Sequence, residues 1–531
     1  MKPGAGIDPL EGELAFVVNG SASRDAITES LRTLLRTRHT AIGRHRFTLL
    51  DTFDNRIHRA GARLTRGDIN GTATVTWRPR GGRTPLAIPS SLPFGFAWDL
   101  PDGPLQDALT PVIGVRRLLA QAEVEQDGSL LEILDDRRKT VARLRIESGR
   151  ARLPISRSAW HALPVSVTLT ALRGFGDTYQ QIVPVIESRP GVTRCPEGLH
   201  QMILRHAGAS ETNEVPSLRV VLAQTVRADV GARRIHRALI AALVANEPGL
   251  RDNLDSEFLH DFRVALRRAR SLVGQVKNVF PPDVVEHFST EMSWLGRLTG
   301  PPRDLDVLVL AIRARQLEVP AVERELLLAF LSQAQERERQ VLIEALDSPR
   351  YRRFLVEWQT FLDRPAATDL VACNARKPLV DVVCGRAWKL SRRIARSAGS
   401  IDEQSPAEHL HKIRIDAKKL RYLVDATPAF FDAADLHCIL GALKKLQRVL
   451  GDFNDAQVHQ TLLLGCGQAL GEAGGPVSTV LTIGQLAEDR RQFGERMRRD
   501  VAEHLQRFGA HSTRSACRRA FKRETRAEQV Q

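Results

Sequence analysis

Aromatic residues are scarce in this sequence: they make up 5% of 531 residues, although 43% are hydrophobic. The cores must therefore be built mostly from Ala, Leu and Val, a composition that favours helices. The same scarcity removes the stacking platforms on which single-strand nucleic-acid binders rely. Cysteine is sparse as well. Cys195, Cys373, Cys384, Cys438, Cys466 and Cys517 are scattered with no CxxC pair. That argues against a disulfide framework or zinc knuckle and for a reducing compartment. No apolar run reaches the length of a membrane span. The opening MKPGAGIDPLEGELAF has no basic start followed by an apolar stretch. The expectation is a soluble, cytoplasmic protein with no membrane partner. Acid is the last deficit: 62 Asp and Glu stand against 77 Lys and Arg, a formal charge of +15. Such an excess points to an anionic partner, whether nucleic acid, an anionic membrane or a phosphate polymer, without choosing among them.

What is present divides into two textures. Up to about residue 206 the pattern is strand-like. TATVTWR (Thr72 to Arg78), TVARLRIE (Thr140 to Glu147) and VSVTLT (Val165 to Thr170) alternate with period two, as half-buried strands of an antiparallel sheet or barrel do. One helix is expected near Arg24 to Arg38. The small, polar AGASETNEVPSL, residues 207–218, reads as a linker. Beyond it, apolar residues recur at three- and four-residue spacing, as in Val220 to Ala245 and Leu436 to Leu464, which predicts an all-helical bundle. The fold class is therefore α+β and multidomain: an antiparallel barrel or tunnel-like domain over 1–206, then an all-α domain over 219–510. The basic segment 511–531 is expected to be flexible.

The helical half contains a repeat. HDFRVALRRAR begins at His260 and HKIRIDAKKLR at His411, an offset of 151 residues. LGRLTG (Leu295 to Gly300) and LQRVLG (Leu446 to Gly451) keep that offset, and each glycine is followed by acids. Two blocks at one offset indicate a duplicated helical unit, with copies over 219–372 and 373–510. On a helix turning about 100° per residue, His260, Arg263, Arg267 and Arg270 fall within a stripe of about 80°. Phe262, Leu266, Ala269 and Val273 form the adjacent apolar stripe. The second copy repeats this with His411, Arg414, Lys418 and Arg421 beside Ile413, Ala417, Leu420 and Val424.

Solvated helix faces usually mix signs. These stripes do not, since Asp261 and Asp416 lie off them. Like charges at helical spacing repel, so a duplicated basic stripe implies a bound anion. Arginine presents a fork that suits phosphate oxygens, lysine a point charge, and histidine a further donor. Arg268, Arg303, Lys419, Lys444, Arg297 and Arg448 extend the candidate surface. Asp304, Asp306, Asp452 and Asp455 could hold a divalent metal, with His459 beside Asp455. Their placement suits orienting arginines or capping helices better, so no metal site is assigned.

Residues of about 216 to 510 resemble a CHAD domain, the conserved-histidine α-helical domain. The resemblance rests on HDFRVALRRAR, RDLDV (Arg303 to Val307), HKIRIDAKKLRY (His411 to Tyr422) and LGDFND (Leu450 to Asp455), in that order. It implies paired helical bundles whose basic surface binds inorganic polyphosphate, often at polyphosphate granules, with no catalytic activity and no cofactor. The family's basic positions fall on His260, Arg263, Arg267, Arg270, Arg297, His411, Arg414, Lys418, Arg421 and Arg448.

The first half resembles a CYTH domain, the triphosphate tunnel fold. The carriers are FTLLDTFDNRIHRAGARL (Phe47 to Leu64), LEILDDRRKTVARLRIE (Leu131 to Glu147) and LRGF (Leu172 to Phe175). Its catalytic pattern is eroded. The ExExK start reads Glu11-Gly12-Glu13-Leu14-Ala15, the LRxR run reads Leu64-Thr65-Arg66-Gly67, and Ser166, Thr168 and Thr170 stand where metal-binding carboxylates belong. A degenerate, non-hydrolysing domain is expected, with Arg66, Arg78, Arg143 and Arg145 left to attract anions. The enzymatic rival, a metal-dependent triphosphatase or cyclase, would have to use Glu11, Glu13 and Glu132. Nonspecific nucleic-acid binding is the second rival: the charge permits it, but no recognition-helix motif supports specific binding. Self-association is left open.

Overall fold

The computed structural model describes residues 13–522, apart from 21, 70–71, 80–84, 90–93, 155–157, 173–174, 209–219, 315, 365–371, 399–400 and 402–404. It divides into two compact units, Met1–Val215 and Pro216–Gln531.

The first unit carries β1 (Glu13–Val18), α1 (Arg24–Leu34), β2 (Thr37–Asp51), α2 (Arg56–Arg59), β3 (Ala62–Ile69), β4 (Thr72–Pro79), β5 (Leu86–Pro89), α3 (Pro104–Ile113), β6 (Leu119–Leu134), β7 (Thr140–Arg152), β8 (His161–Ala171), α4 (Gly176–Glu187), β9 (Val192–Arg194) and α5 (Gly198–His206). The strands form a nine-stranded sheet in the order β5-β4-β3-β2-β6-β7-β8-β1-β9, with every pairing antiparallel. The period-two reading holds on β7, where Leu144 and Ile146 are buried while Arg143 is exposed. One face packs Phe16, Leu144, Ile146, Val167 and Leu169 against Ile27 and Leu31 of α1 and Ile182 and Ile186 of α4. The other face is apolar at one end, where Leu49, Ala122, Val124, Ala151 and Leu163 pack on Met202 and Ile203 of α5, and polar at the other. Directly paired residues share a face, so the register Thr170↔Arg143, Arg143↔Glu132 and Glu132↔Arg38 lays one polar row across four strands.

Two expectations are corrected in this unit. Among the described residues the sheet ends at β5 and β9, so it is an open, tunnel-like sheet and not a closed barrel. The helix expected to reach Arg38 ends at Leu34, because Leu35 is extended and Thr37 already pairs with Ile133 of β6. Ser23 caps its start by accepting from the Ala26 amide at 3.2 Å.

The second unit is helical: α6 (Ala228–Arg251), α7 (Ser256–Gln275), α8 (Pro282–Leu298), α9 (Gly300–Arg313), α10 (Ala321–Asp347), α11 (Pro349–Asp363), α12 (Leu379–Ser397), α13 (Ala407–Ala426), α14 (Ala433–Glu472), α15 (Val477–Phe508) and α16 (His511–Phe521). Helix α7 and helix α13 are each 20 residues long, and both ends are displaced by the same offset as the sequence blocks. Their apolar stripes are buried as the spacing predicts: Phe262, Leu266, Ala269 and Val273 in one, Ile413, Ala417, Leu420 and Val424 in the other. Asp255 caps α7, accepting from the Glu257 amide at 2.9 Å.

The copies meet symmetrically where α6 and α12 begin. The Ala228 amide donates to the Lys377 carbonyl at 2.8 Å, and the Leu379 amide to the Val226 carbonyl at 2.8 Å. Each bond is the other with the copies exchanged, which marks a local pseudo-twofold axis. The copies diverge after the second block. Gly300-Pro301-Pro302 breaks the chain into α8 and α9, whereas Gly451-Asp452-Phe453 lets α14 run unbroken for 40 residues.

The segment expected to be a flexible tail holds α16, with Cys517 and Phe521 buried and the Arg519 Nε donating to Asp435 at 3.1 Å. Its apolar residues at 516, 517 and 521 share one helix face, a pattern the surrounding basic residues mask. From residue 209 onward the expected linker lies outside the described residues, as do 523–531.

Candidate anion-binding site

Helices α7 and α13 pack on each other and bring both basic stripes into one electrostatic neighbourhood. Burial pushes the Arg263 guanidinium down to about 10; Arg267, Arg303 and Arg270 add repulsion and Asp304 opposes it. Burial likewise lowers Arg414, where Asp455 and Asp304 oppose and Arg267, from the other copy, reinforces. The Lys418 ammonium is pushed furthest, to about 7, by burial and then by Arg414, Arg267 and Arg263, against Asp455. Arg270 is lowered by burial, Arg267 and Arg297. Arg263, Arg414 and Lys418 occupy half-buried positions, where repulsion is screened less than on the surface, while Arg270 is exposed.

The second block gives this cluster a floor. A Cβ on Gly296 would lie 3.2 Å from the Arg270 Nη1, and one on Gly300 would lie 3.5 Å from the Arg263 Nη1. The glycines of LGRLTG thus leave room for guanidinium groups of α7 to lie against α8 and the start of α9. Arg263 donates to the Thr299 hydroxyl at 3.2 Å. The acids after each glycine face the cluster and each other. Asp304 is raised by burial, opposed by Arg263 and reinforced by Asp455. Asp452 is raised by burial and by Asp455, against Arg448. These acids therefore offset part of the basic charge, as the sequence suggests, while Asp306 turns away to accept from Gln335 at 2.8 Å.

Not every candidate joins the cluster. Arg268 and Arg421 both reach Asp425, at 3.8 and 3.2 Å, and so tie α7 to α13. Arg303 donates to the Ser256 carbonyl at 3.0 Å and pairs with Glu257 at 3.6 Å. His411, Lys444 and Arg448 are exposed, while His260 and Lys419 are half-buried. Sequence reasoning missed Asp425, whose i,i+4 spacing from Arg421 is its only local signal.

The first unit has a cavity of about 190 Å³ whose wall includes Arg63, Thr65, Arg78, Arg145, Glu147 and Thr168. Of the four arginines expected there, Arg78 and Arg145 line it and Arg66 and Arg143 do not. Arg63 was missed, although it shares a strand face with Thr65 by simple alternation. The family resemblance implies a divalent metal in such a tunnel. The donors present do not fit one. Glu147 is buried and pairs with Arg145 at 2.6 Å. Glu132 pairs with Arg38 and Arg143 at 3.3 and 3.5 Å. Both carboxylates are thus committed to arginines. Among the described residues no three His, Cys, Asp or Glu side chains converge. Glu11 lies outside the described residues.

Comparison with known proteins agrees on the helical unit. Residues 234–464 match the family model of the CHAD domain, so the chain contains a CHAD domain running from within α6 to within α14. Uncharacterized proteins of two Mycobacterium tuberculosis strains (CDC 1551 / Oshkosh and ATCC 25618 / H37Rv) are each 26% identical over 323 residues, 59% of this chain and 58% of the relative. The chain thus spans less than two thirds of the length of the curated relatives it matches. Among solved structures, the CHAD domain from the plant Ricinus communis aligns at 23% identity and a TM-score of 0.46, covering 54% of this chain and 94% of its own. PptA from Streptomyces chartreusis aligns at 16% identity and a TM-score of 0.39, covering 53% of this chain and all of its own. No described helix is long and apolar enough to cross a membrane.

Proposed function

We propose that the helical unit binds inorganic polyphosphate through the cluster shared by α7 and α13. The observation that carries this reading is the crowding of Arg263, Arg267, Arg414 and Lys418, drawn from both copies, in half-buried positions. Such crowding is unfavourable in the free protein and is relieved by a polyanion that touches both helices. The CHAD domain is associated with polyphosphate, which fits that demand. His260, Arg270, Arg297, Arg303, His411, Lys444 and Arg448 extend the proposed surface along the same helices. The sheet unit is read as a degenerate CYTH-like domain without catalysis, its cavity arginines retaining affinity for anions. The protein would act in the cytoplasm, at polyphosphate granules where these form.

The test is a competition at physiological salt between labelled long-chain polyphosphate and duplex DNA at equal phosphate concentration. Polyphosphate should remain bound. Displacement by DNA would replace this reading with nonspecific nucleic-acid binding, whose affinity is set by charge density alone.

A further inference from the structure

Helices α14 and α15 pack as an antiparallel pair, and one close approach sets their register: a Cβ on Gly494 would lie 3.4 Å from the Ala456 Cβ. One turn along α14 from that contact stands His459, and one turn back along α15 stands Arg490. Arg490 follows the stripe by which α15 is buried, marked by Ile483, Leu486, Ala487, Gly494, Val501 and Leu505. An apolar residue is expected at such a position. Arginine is there instead, half-buried, with its Nε out of solvent and without a hydrogen-bond partner. Its guanidinium lies 5.0 Å from the centre of the Phe493 ring. Burial lowers its pKa, with Asp489 opposing and Arg496 reinforcing. Its neighbour Arg491 shows the ordinary alternative, pairing with Glu488 at 2.8 Å and with Glu495 one turn on. Among the described residues Arg490 forms no ion pair.

The surroundings give this arginine a direction. His459 is buried, and the charges that reach it are those of Asp455 and Arg490. Asp455 in turn is felt by Arg414 and Lys418 of the proposed polyphosphate cluster. Asp455 and His459 are one turn apart on α14, beside the Ala456 contact with α15, so this helix leads from the charges of the α7/α13 seam toward Arg490. We propose that Arg490 is a further phosphate-binding residue, reached by a polyphosphate chain that runs beyond the α7/α13 seam and engaged by long chains but not by short ones. This inference rests on the polyphosphate reading of that seam. Arg490 lies beyond the span that matches the CHAD family model.

The full-length protein is titrated with long-chain polyphosphate and with tripolyphosphate, as wild type and as Arg490→Met, Arg490→Lys and the double variant Arg263→Gln with Arg414→Gln. Arg490→Met should weaken long-chain binding about tenfold, the loss of one charged hydrogen-bonding contact. It should also reduce the slope of log affinity against log salt by about 0.7, and leave tripolyphosphate binding as in the wild type. Arg490→Lys should restore most of the long-chain affinity. Because methionine suits the apolar stripe, the melting temperature of Arg490→Met should hold or rise. An arginine that only packs on Phe493 gives the opposite result: a lower melting temperature with long-chain affinity and salt slope unchanged. That outcome, or equal losses for both ligands, overturns the assignment. If the double variant still binds as wild type, the seam itself is wrong; if it loses binding while Arg490→Met does not, only the inference about α15 fails.

Discussion

The sheet unit and the helical unit both display many arginines, but they surround them differently. On β2, β6 and β7 the arginines stand in ion pairs across strands. Arg46 meets Glu123 at 2.6 Å, Arg150 meets Glu125 at 2.8 Å and Arg152 meets Glu123 at 2.6 Å. Glu123 and Glu125 are correspondingly held below the usual carboxylate range; burial opposes the Arg46 and Arg152 hydrogen bonds at Glu123, and the Arg150 hydrogen bond leads at Glu125. Between α7 and α13, by contrast, Arg263 and Lys418 are lowered by burial and by neighbouring cations, with Asp304 and Asp455 opposing, and at Arg414 the opposing Asp455 outweighs the reinforcing Arg267. A paired arginine mostly holds its own fold together, while a crowded one is prepared for a ligand. Net charge alone could not have separated these two populations.

The sharpest way to break that comparison is to remove the same number of charges from each region. Arg263→Gln with Arg414→Gln should reduce polyphosphate affinity by about two orders of magnitude, two charged contacts at about 1.5 kcal/mol each. Arg150→Gln with Arg152→Gln in the sheet should leave it within about twofold, since partly exposed ion pairs contribute little to binding elsewhere. Filter binding gives the affinities and far-ultraviolet circular dichroism checks that both variants fold. Equal losses in the two variants would mean that bulk charge, not the seam, governs binding.

The next effect is on pH dependence. Lys418 is lowered to about 7 by burial and by Arg414, Arg267 and Arg263, with Asp455 opposing. Its pKa in the folded state is below the unfolded value. The unfolded chain therefore binds more protons between about pH 7 and pH 10.4, and stability should rise across that window as the crowded charge is lost. Binding runs the other way. A polyanion favours the ammonium form, so affinity should fall as pH rises from 6 to 9, with proton uptake on binding at pH 8. Calorimetry in buffers of different ionisation enthalpy measures that uptake. Lys418→Met should abolish it and flatten the pH profile; an unchanged profile would place the titrating group elsewhere.

The repeat, the two stripes and their apolar neighbours were legible in the sequence because they depend on local spacing, which helices preserve. So were β4, β7 and β8 of the sheet unit, as period-two alternation. Their assembly was not. That Arg267 of one copy reaches Arg414 and Lys418 of the other follows from packing around the pseudo-twofold axis, and no spacing within one helix encodes it. The same applies to the sheet: alternation cannot say whether edges close, and among the described residues β5 and β9 remain unjoined. Helix α16 was hidden for a different reason. Its buried face is only a few residues wide, and the basic residues around it dominate the composition of that segment.

Arg268 and Arg421 give the finest form of the comparison, because they belong to the basic stretches yet behave like the arginines of the sheet. Both converge on Asp425, and Arg421 also donates to Gln447 at 2.9 Å, whose amide in turn reaches the Ala417 carbonyl at 2.7 Å. Arg268 lies over the Tyr422 ring at 5.8 Å. This network joins α7, α13 and α14, so its expected role is to hold the two stripes in register. Asp425→Asn should lower stability by about 1 kcal/mol, the upper range for a partly exposed pair, read as a shift in urea midpoint with unchanged slope. It should change polyphosphate affinity less than any substitution in the seam, and in the direction of tighter binding, because an acid is removed beside the cluster. A loss of affinity with stability unchanged would instead show that Arg268 and Arg421 touch the ligand, moving them from the paired population to the crowded one.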